Sequence, residues 1–101
     1  MTTRPVDLER AVDLLSCMAH PVRLAVLLRL HREGPAKVKA LMAELDVEQS
    51  ALSHHLRHLR NARLVVGDRE GRSVVYRLHD EHVGCIVEDA VQHATEEADD
   101  V

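Results

Sequence analysis

Four residues in the last quarter of the chain have the types that hold a first-row metal ion: Asp80, His82, His93 and Glu96. Imidazole nitrogens and carboxylate oxygens without a thiolate suit zinc, cobalt or nickel. Spacing decides how they could be used. His93 and Glu96 are i, i+3 neighbours, which meet on one helix face and can chelate together. Asp80 and His82 are i, i+2, which diverge on a helix. They converge only if Asp80 sits just outside the helix start, as an N-cap. His82 and His93 are 11 residues apart, close to three turns, and so share a face. At the helical rise they stand about 16 Å apart along the axis, too far for one ion. Two such helices packed antiparallel about a twofold axis would bring Asp80 and His82 of one chain to His93 and Glu96 of the other. A symmetric dimer would then hold two equivalent four-ligand sites. Four ligands with no open position suit binding rather than catalysis. By spacing alone, the simpler reading is a helix with a capping Asp and surface histidines.

A second constellation lies between Glu48 and Ala62. On a helical wheel, Gln49, Ser50, Ser53, His54, Arg57 and Arg60 fall within about 140° of one another, with Leu52, Leu56 and Leu59 on the opposite side. That outward face holds amide, hydroxyl, imidazole and guanidinium groups and no acid. Such donors suit base edges and phosphates, and the helix N-terminus favours a phosphate as well. Arg69 and Arg72 flank the tip of a hairpin that follows, where a wing would meet a DNA backbone. Spacing alone fits an ordinary solvated face too. The acid-free face, the preceding turn and the Arg-tipped hairpin together point to double-stranded DNA.

Other elements must position these groups. Leu8, Val12, Leu15 and Met18 are spaced as one helix over residues 7–18. His20-Pro21 breaks it, and Pro21 suits the first position of a second helix. That helix carries Val22, Leu24, Val26, Leu27, Leu28 and Leu30, apolar on most sides, and ends at Gly34-Pro35. A third helix is expected over about residues 36–44, with Val38, Leu41, Met42 and Leu45 inward, then a tight turn at Asp46-Val47. After the fourth helix the period changes. Leu64-Val65-Val66 and Ser73 to Leu78 are β-branched runs around Asp68-Arg69-Glu70-Gly71, the pattern of a hairpin. A final helix is expected over residues 81–98. The sequence therefore reads as one mainly α domain over residues 1–101, in the order α-α-α-α-β-β-α: a winged helix-turn-helix.

Composition agrees with this reading. The 101 residues include no Phe, no Trp and one Tyr, so the core must be aliphatic. No apolar run approaches the roughly 18–20 residues of a membrane span. The N-terminus has no signal core, and the two cysteines are too few for a disulfide scaffold, which favours the cytoplasm. The net charge of −4 hides an asymmetry: residues 80–101 carry eight acids and no Lys or Arg, while residues 48–79 carry six Arg against three acids. With no Gly-rich loop, no nucleophile elbow and no open metal site, the chain is not expected to be an enzyme.

The stretch Val47 to Arg60, followed by Leu64-Val65, resembles the recognition helix of the ArsR/SmtB family of winged-helix repressors. Ala19-His20-Pro21-Val22-Arg23-Leu24 resembles the start of that family's second helix, and Gly71-Arg72 with Val75-Tyr76 resembles its wing. The resemblance covers about residues 8–97. It implies DNA contacts at Gln49, Ser50, Ser53 and His54, a homodimer, and repression relieved by an inducer. The pattern Asp80-x-His82, then His93 and Glu96, matches the family's intersubunit zinc site on the last helix. The resemblance also implies a bond from the free N–H of His93 to the carbonyl of Arg63. The family's cysteine-based sites are absent: Leu41 to Asp46 holds no Cys, and Arg57 and Asn61 stand where a fourth-helix thiolate pair would be. The tail after Glu96 holds no histidine, which favours zinc over nickel.

The expected function is a zinc-sensing repressor that releases an imperfect inverted-repeat operator when metal binds at the dimer interface. The alternatives are a nickel or cobalt sensor, or a redox or persulfide sensor using Cys17 and Cys85. Those cysteines are otherwise read as buried small hydrophobes. His54, His55 and His58 are read as DNA contact or helix surface rather than a metal cluster, and His20 as a cap or packing residue rather than a ligand.

Overall fold

In the computed structural model the backbone is described from Pro5 to Asp99 and the side chains from Asp7 to Glu96. The acidic tail beyond Glu96, which bore on the choice of metal, has no described side chains. Helix α1 (Pro5–Met18) is followed by a two-residue break and α2 (Pro21–Glu33). The break is fixed locally: His20 is extended, at φ −148°, and its Nδ1 accepts the Val22 N–H at 3.1 Å, which makes it the expected cap. Pro21 follows at the first helical position, where its missing N–H leaves nothing unsatisfied. Gly34, at φ 89°, closes α2 by donating its N–H to the Leu30 carbonyl.

The chain then does something the periodicity did not reveal. Ala36–Lys37 forms a short strand, β1, so α3 begins at Val38 and runs to Leu45 rather than starting at Ala36. The cause is nonlocal: Ala36 and Lys37 pair antiparallel with Tyr76 and Val75. Asp46 takes the left-handed conformation, at φ 53° and ψ 52°, which a short polar side chain tolerates, and α4 (Gln49–Asn61) follows. Strands β2 (Val65–Glu70) and β3 (Ser73–Leu78) pair from Val65↔Leu78 to Glu70↔Ser73. Only Gly71 and Arg72 connect them, and Gly71 has the positive φ (61°) that a two-residue hairpin loop demands. The sheet order is β1-β3-β2, and α5 (Glu81–Asp99) ends the fold.

The core is aliphatic throughout. Val26, Leu27, Leu41, Leu52, Leu56, Leu59, Leu64, Val65 and Val87 are its fully buried side chains, and no polar residue among those described is buried with them. Helix α5 lies close on α2 at Gly84, where any Cβ would collide with the His31 ring. Arg32 of α2 donates two hydrogen bonds to Glu88 of α5, at 2.9 and 2.7 Å. Among the described residues no single helix is long and apolar enough to cross a membrane.

One expected burial is corrected. Cys17 is half-buried but Cys85 is exposed, because α5 turns it away from the Val83 and Val87 face that packs on the core. Both thiols are free.

Candidate nucleic-acid interface and metal-ligand pairs

Helices α3 and α4 with the Asp46 turn form the helix-turn-helix, and the hairpin stands beside it as a wing. The α4 stripe Leu52, Leu56 and Leu59 is anchored in the core, so the opposite face has to point outward. Gln49, Ser50, Ser53, His54, Arg57 and Arg60 are all exposed on it. Ser50 Oγ donates to Glu48 Oε1 at 2.6 Å, so an acid lies at the edge of this face although none lies on it. Arg69 is exposed on β2 and Arg72 forms the second residue of the hairpin loop.

A cleft of about 640 Å³ joins these elements. Gln49 and Ser53 line one side, Arg72 and Tyr76 the wing side, and Lys37 and Lys39 its floor at the start of α3. The two lysines were not anticipated as interface residues. The signal was two basic residues beside the first helix of the motif, but it depended on β1 pairing with β3 to bring Lys37 under the wing. The cleft thus gathers Lys37, Lys39 and Arg72 with amide and hydroxyl donors, a surface suited to a phosphate backbone next to exposed base edges.

Asp80 lies where the capping argument requires. Its Oδ1 accepts the Val83 N–H at 3.2 Å, which makes it the N-cap of α5. The same oxygen is 3.5 Å from His82 Nδ1, so the i, i+2 pair does converge. His79, a residue the spacing argument left out, adds Nδ1 at 3.3 Å from Asp80 Oδ2. The His79 hydrogen bond, followed by the Val83 N–H, holds the Asp80 carboxyl below the usual carboxylate range, so it is ionised at neutral pH. His82 is almost wholly exposed.

His93 and Glu96 lie at the far end of the same unbroken helix, exposed and with no hydrogen bond or ion pair among the described residues. One protomer does not unite the two pairs. Among the described residues no group of three or more His, Cys, Asp or Glu side chains could hold a metal ion.

Beside these pairs the surface is apolar. Leu8, Val12 and Leu15 of α1 are 56, 60 and 51% exposed, and Ile86 of α5 is 40% exposed. An apolar groove of about 230 Å³ runs between the helices, lined by Leu15, Met18, Leu24, Ile86 and Val87 among others.

Comparison with known proteins agrees with this architecture. A family model described as a helix-turn-helix domain matches residues 18–68. The chain is 46% identical over 93 residues to the HTH-type transcriptional regulator NmtR of Mycobacterium tuberculosis, covering 89% of this chain and 77% of that one. It is 47% identical over 91 residues to the HTH-type transcriptional repressor SmtB of the same species, covering 90% and 67%. The solved structure of HlyU from Vibrio cholerae superposes with a TM-score of 0.81 at 34% identity, covering 88% of this chain and 96% of that one. These relatives are regulators rather than enzymes. With helix-turn-helix, wing and identity over about nine tenths of the chain in agreement, the chain belongs to the ArsR/SmtB family of winged-helix metalloregulatory repressors.

Proposed function

We propose that the chain is a cytoplasmic, zinc-responsive repressor that acts as a homodimer on an imperfect inverted repeat. The observation that carries the metal reading is the division of one ligand set between the ends of α5. Asp80 is ionised and faces His82, while His93 and Glu96 are exposed and, among the described residues, unpartnered. A second copy packed antiparallel across the exposed α1 and α5 stripes would bring the complementary pairs together. The set then holds two imidazoles and two carboxylates with no thiolate, a donor chemistry that fits zinc and leaves Cys17 and Cys85 outside. The NmtR and SmtB relatives are DNA regulators, which supports an operator as the other ligand.

In this reading Asp80 and Glu96 supply charge and His82 and His93 direct the geometry. An ion held by these four residues would supply positive charge there, and the second ring nitrogen of a ligating His93 would donate to the Arg63 carbonyl, tying α5 to the end of the recognition helix. Metal and DNA favour different dimer geometries, so each weakens the other by the same factor, about 1–3 kcal/mol. Twofold symmetry places the two recognition helices about 34 Å apart, in successive major grooves.

Cobalt(II) titration of the metal-free protein tests this. Intense tetrahedral visible bands, one ion per protomer and no thiolate band are expected. His93→Ala should abolish the metal effect on operator binding and leave metal-free binding intact. A thiolate band, or loss of metal-free DNA binding in His93→Ala, would overturn the assignment.

A further inference from the structure

Four side chains, Cys17, His20, Arg23 and His55, meet where α1 ends, α2 begins and the recognition helix crosses, and neither the DNA face nor the metal pairs use them. Arg23 spans this corner. Its Nε donates to His55 Nδ1 at 3.1 Å, and its Nη1 donates to the Cys17 carbonyl at 3.4 Å, with Cys17 Sγ at 3.9 Å. Cys17 Sγ in turn donates to the His58 carbonyl at 3.6 Å. His20 lies against His55, with ring centroids 4.4 Å apart. One guanidinium therefore links the last turn of α1 to the middle of α4.

The protonation state of the corner follows from its donors. Arginine only donates, so His55 Nδ1 must be an acceptor and its ring the neutral form carrying hydrogen on Nε2. His20 Nδ1 accepts the Val22 N–H, so the same form holds there. A proton added to either ring goes to the nitrogen already in use. At His55 it turns the acceptor into a donor aimed at a cation. At His20 it removes the α2 cap. His55 faces His20 and Arg23 from the α2 side and His54 and His58 on its own helix; each of these is a cation or can become one, and no carboxylate is among them.

We propose that Arg23, bonded to His55 and Cys17, is the positioning strut that sets the recognition helix against the α1–α2 corner, and that protonation of His55 releases it. The proposal rests on α4 as the recognition helix and not on the metal assignment. Burial first, then these positive neighbours, holds the His55 ring below the ordinary imidazole value. The unfolded chain therefore binds a proton before the folded corner does. The strut is complete above pH of about 6.5 and weakens as the pH falls through and below that value.

The sign separates this device from simple electrostatics. Acid also charges the exposed His58 on the same helix, which by itself strengthens attraction to phosphates. Release of the strut instead weakens DNA binding.

The test uses the metal-free full chain between about pH 7.5 and 5.5, across the imidazole range. Amide exchange, expressed as protection factors, is compared for α4 and α5, and anisotropy of a mixed-sequence DNA duplex is read at fixed ionic strength. Protection in α4 should fall relative to α5, by at most about tenfold at pH 5.5 for one ring of ordinary imidazole value, with a parallel loss of duplex affinity. His55→Gln keeps an acceptor for Arg23 but takes no proton, and should flatten the profile. His20→Asn keeps a good N-cap but removes the ring that packs on His55 and helps hold its value down, and should flatten the profile in part, so the proposal remains testable if His55→Gln folds poorly. An acid-insensitive α4 in the wild type, affinity that rises on acidification, or wild-type profiles in both variants would overturn it. Because no metal is present, failure of the zinc reading leaves this result unaffected.

Discussion

Helices α4 and α5 have similar designs, an apolar stripe backed by polar groups, and differ in where the stripe is satisfied. In α4, Leu52, Leu56 and Leu59 are all buried inside the chain, so the polar face is presented ready-made. In α5, Val83 and Val87 are buried, but Ile86 remains 40% exposed beside the open stripe of α1, and the ligand pairs stay at opposite ends. The face proposed to read DNA is thus complete in one protomer. The metal set proposed above is complete only in two. A substitution in the first stripe should unfold the protein, whereas one in the second should separate it into folded halves.

Leu52→Ala is the largest expected break. Leu52 is fully buried between α4 and the rest of the core, and truncating such a leucine costs about 2–5 kcal/mol through lost burial and the cavity left behind. Urea denaturation should show that loss with an unchanged slope. A cost within error would mean that α4 is held by the wing rather than by its stripe, and the contrast with α5 would fail.

Leu15→Glu comes next. Leu15 is 51% exposed and lines the groove against Ile86, so a carboxylate there can reach water in the isolated chain. Folding stability should change by less than about 1 kcal/mol. Association should be lost, because the charge would have to be buried against a copy of itself. Sedimentation should report the monomer mass where the wild type reports twice that value. A variant that remains dimeric would place the interface elsewhere and leave the α5 pairs without a partner.

The same contrast explains what the sequence made legible. Features encoded within a few residues were readable: the His20-Pro21 helix start, the Asp80 cap and the α4 wheel are local choices with local causes, whereas the hairpin was legible but its turn was not, since β2 runs on through Asp68-Arg69-Glu70 and turns at Gly71-Arg72. Features that need distant partners were not. Strand β1 is two residues long and exists because β3 lies beside it, and Lys37 joins the cleft for the same reason. Cys85 looked like a small core residue by type, but its exposure depends on which face of α5 meets α2. His55 carried no distinguishing signal among three histidines on α4, since Arg23, its partner, lies 32 residues away.

The smallest expected effect lies at the joint between these regions. Arg63 follows the end of α4 with φ at 61°, the left-handed region that a side chain enters at a cost of roughly 1–2 kcal/mol. Glycine has no Cβ to clash there but loses about 0.5–1 kcal/mol more in chain entropy. Arg63→Gly should therefore stabilise the protein by up to about 1 kcal/mol, read as a shift in the thermal midpoint. It should leave sedimentation unchanged, since Arg63 lies on neither the α1 nor the α5 stripe. It also keeps the backbone carbonyl that His93 is proposed to reach. A more stable protein with its metal response intact would place the coupling between α5 and α4 in the backbone. A more stable protein that no longer released DNA would assign that coupling to the Arg63 side chain and would overturn the route through its carbonyl.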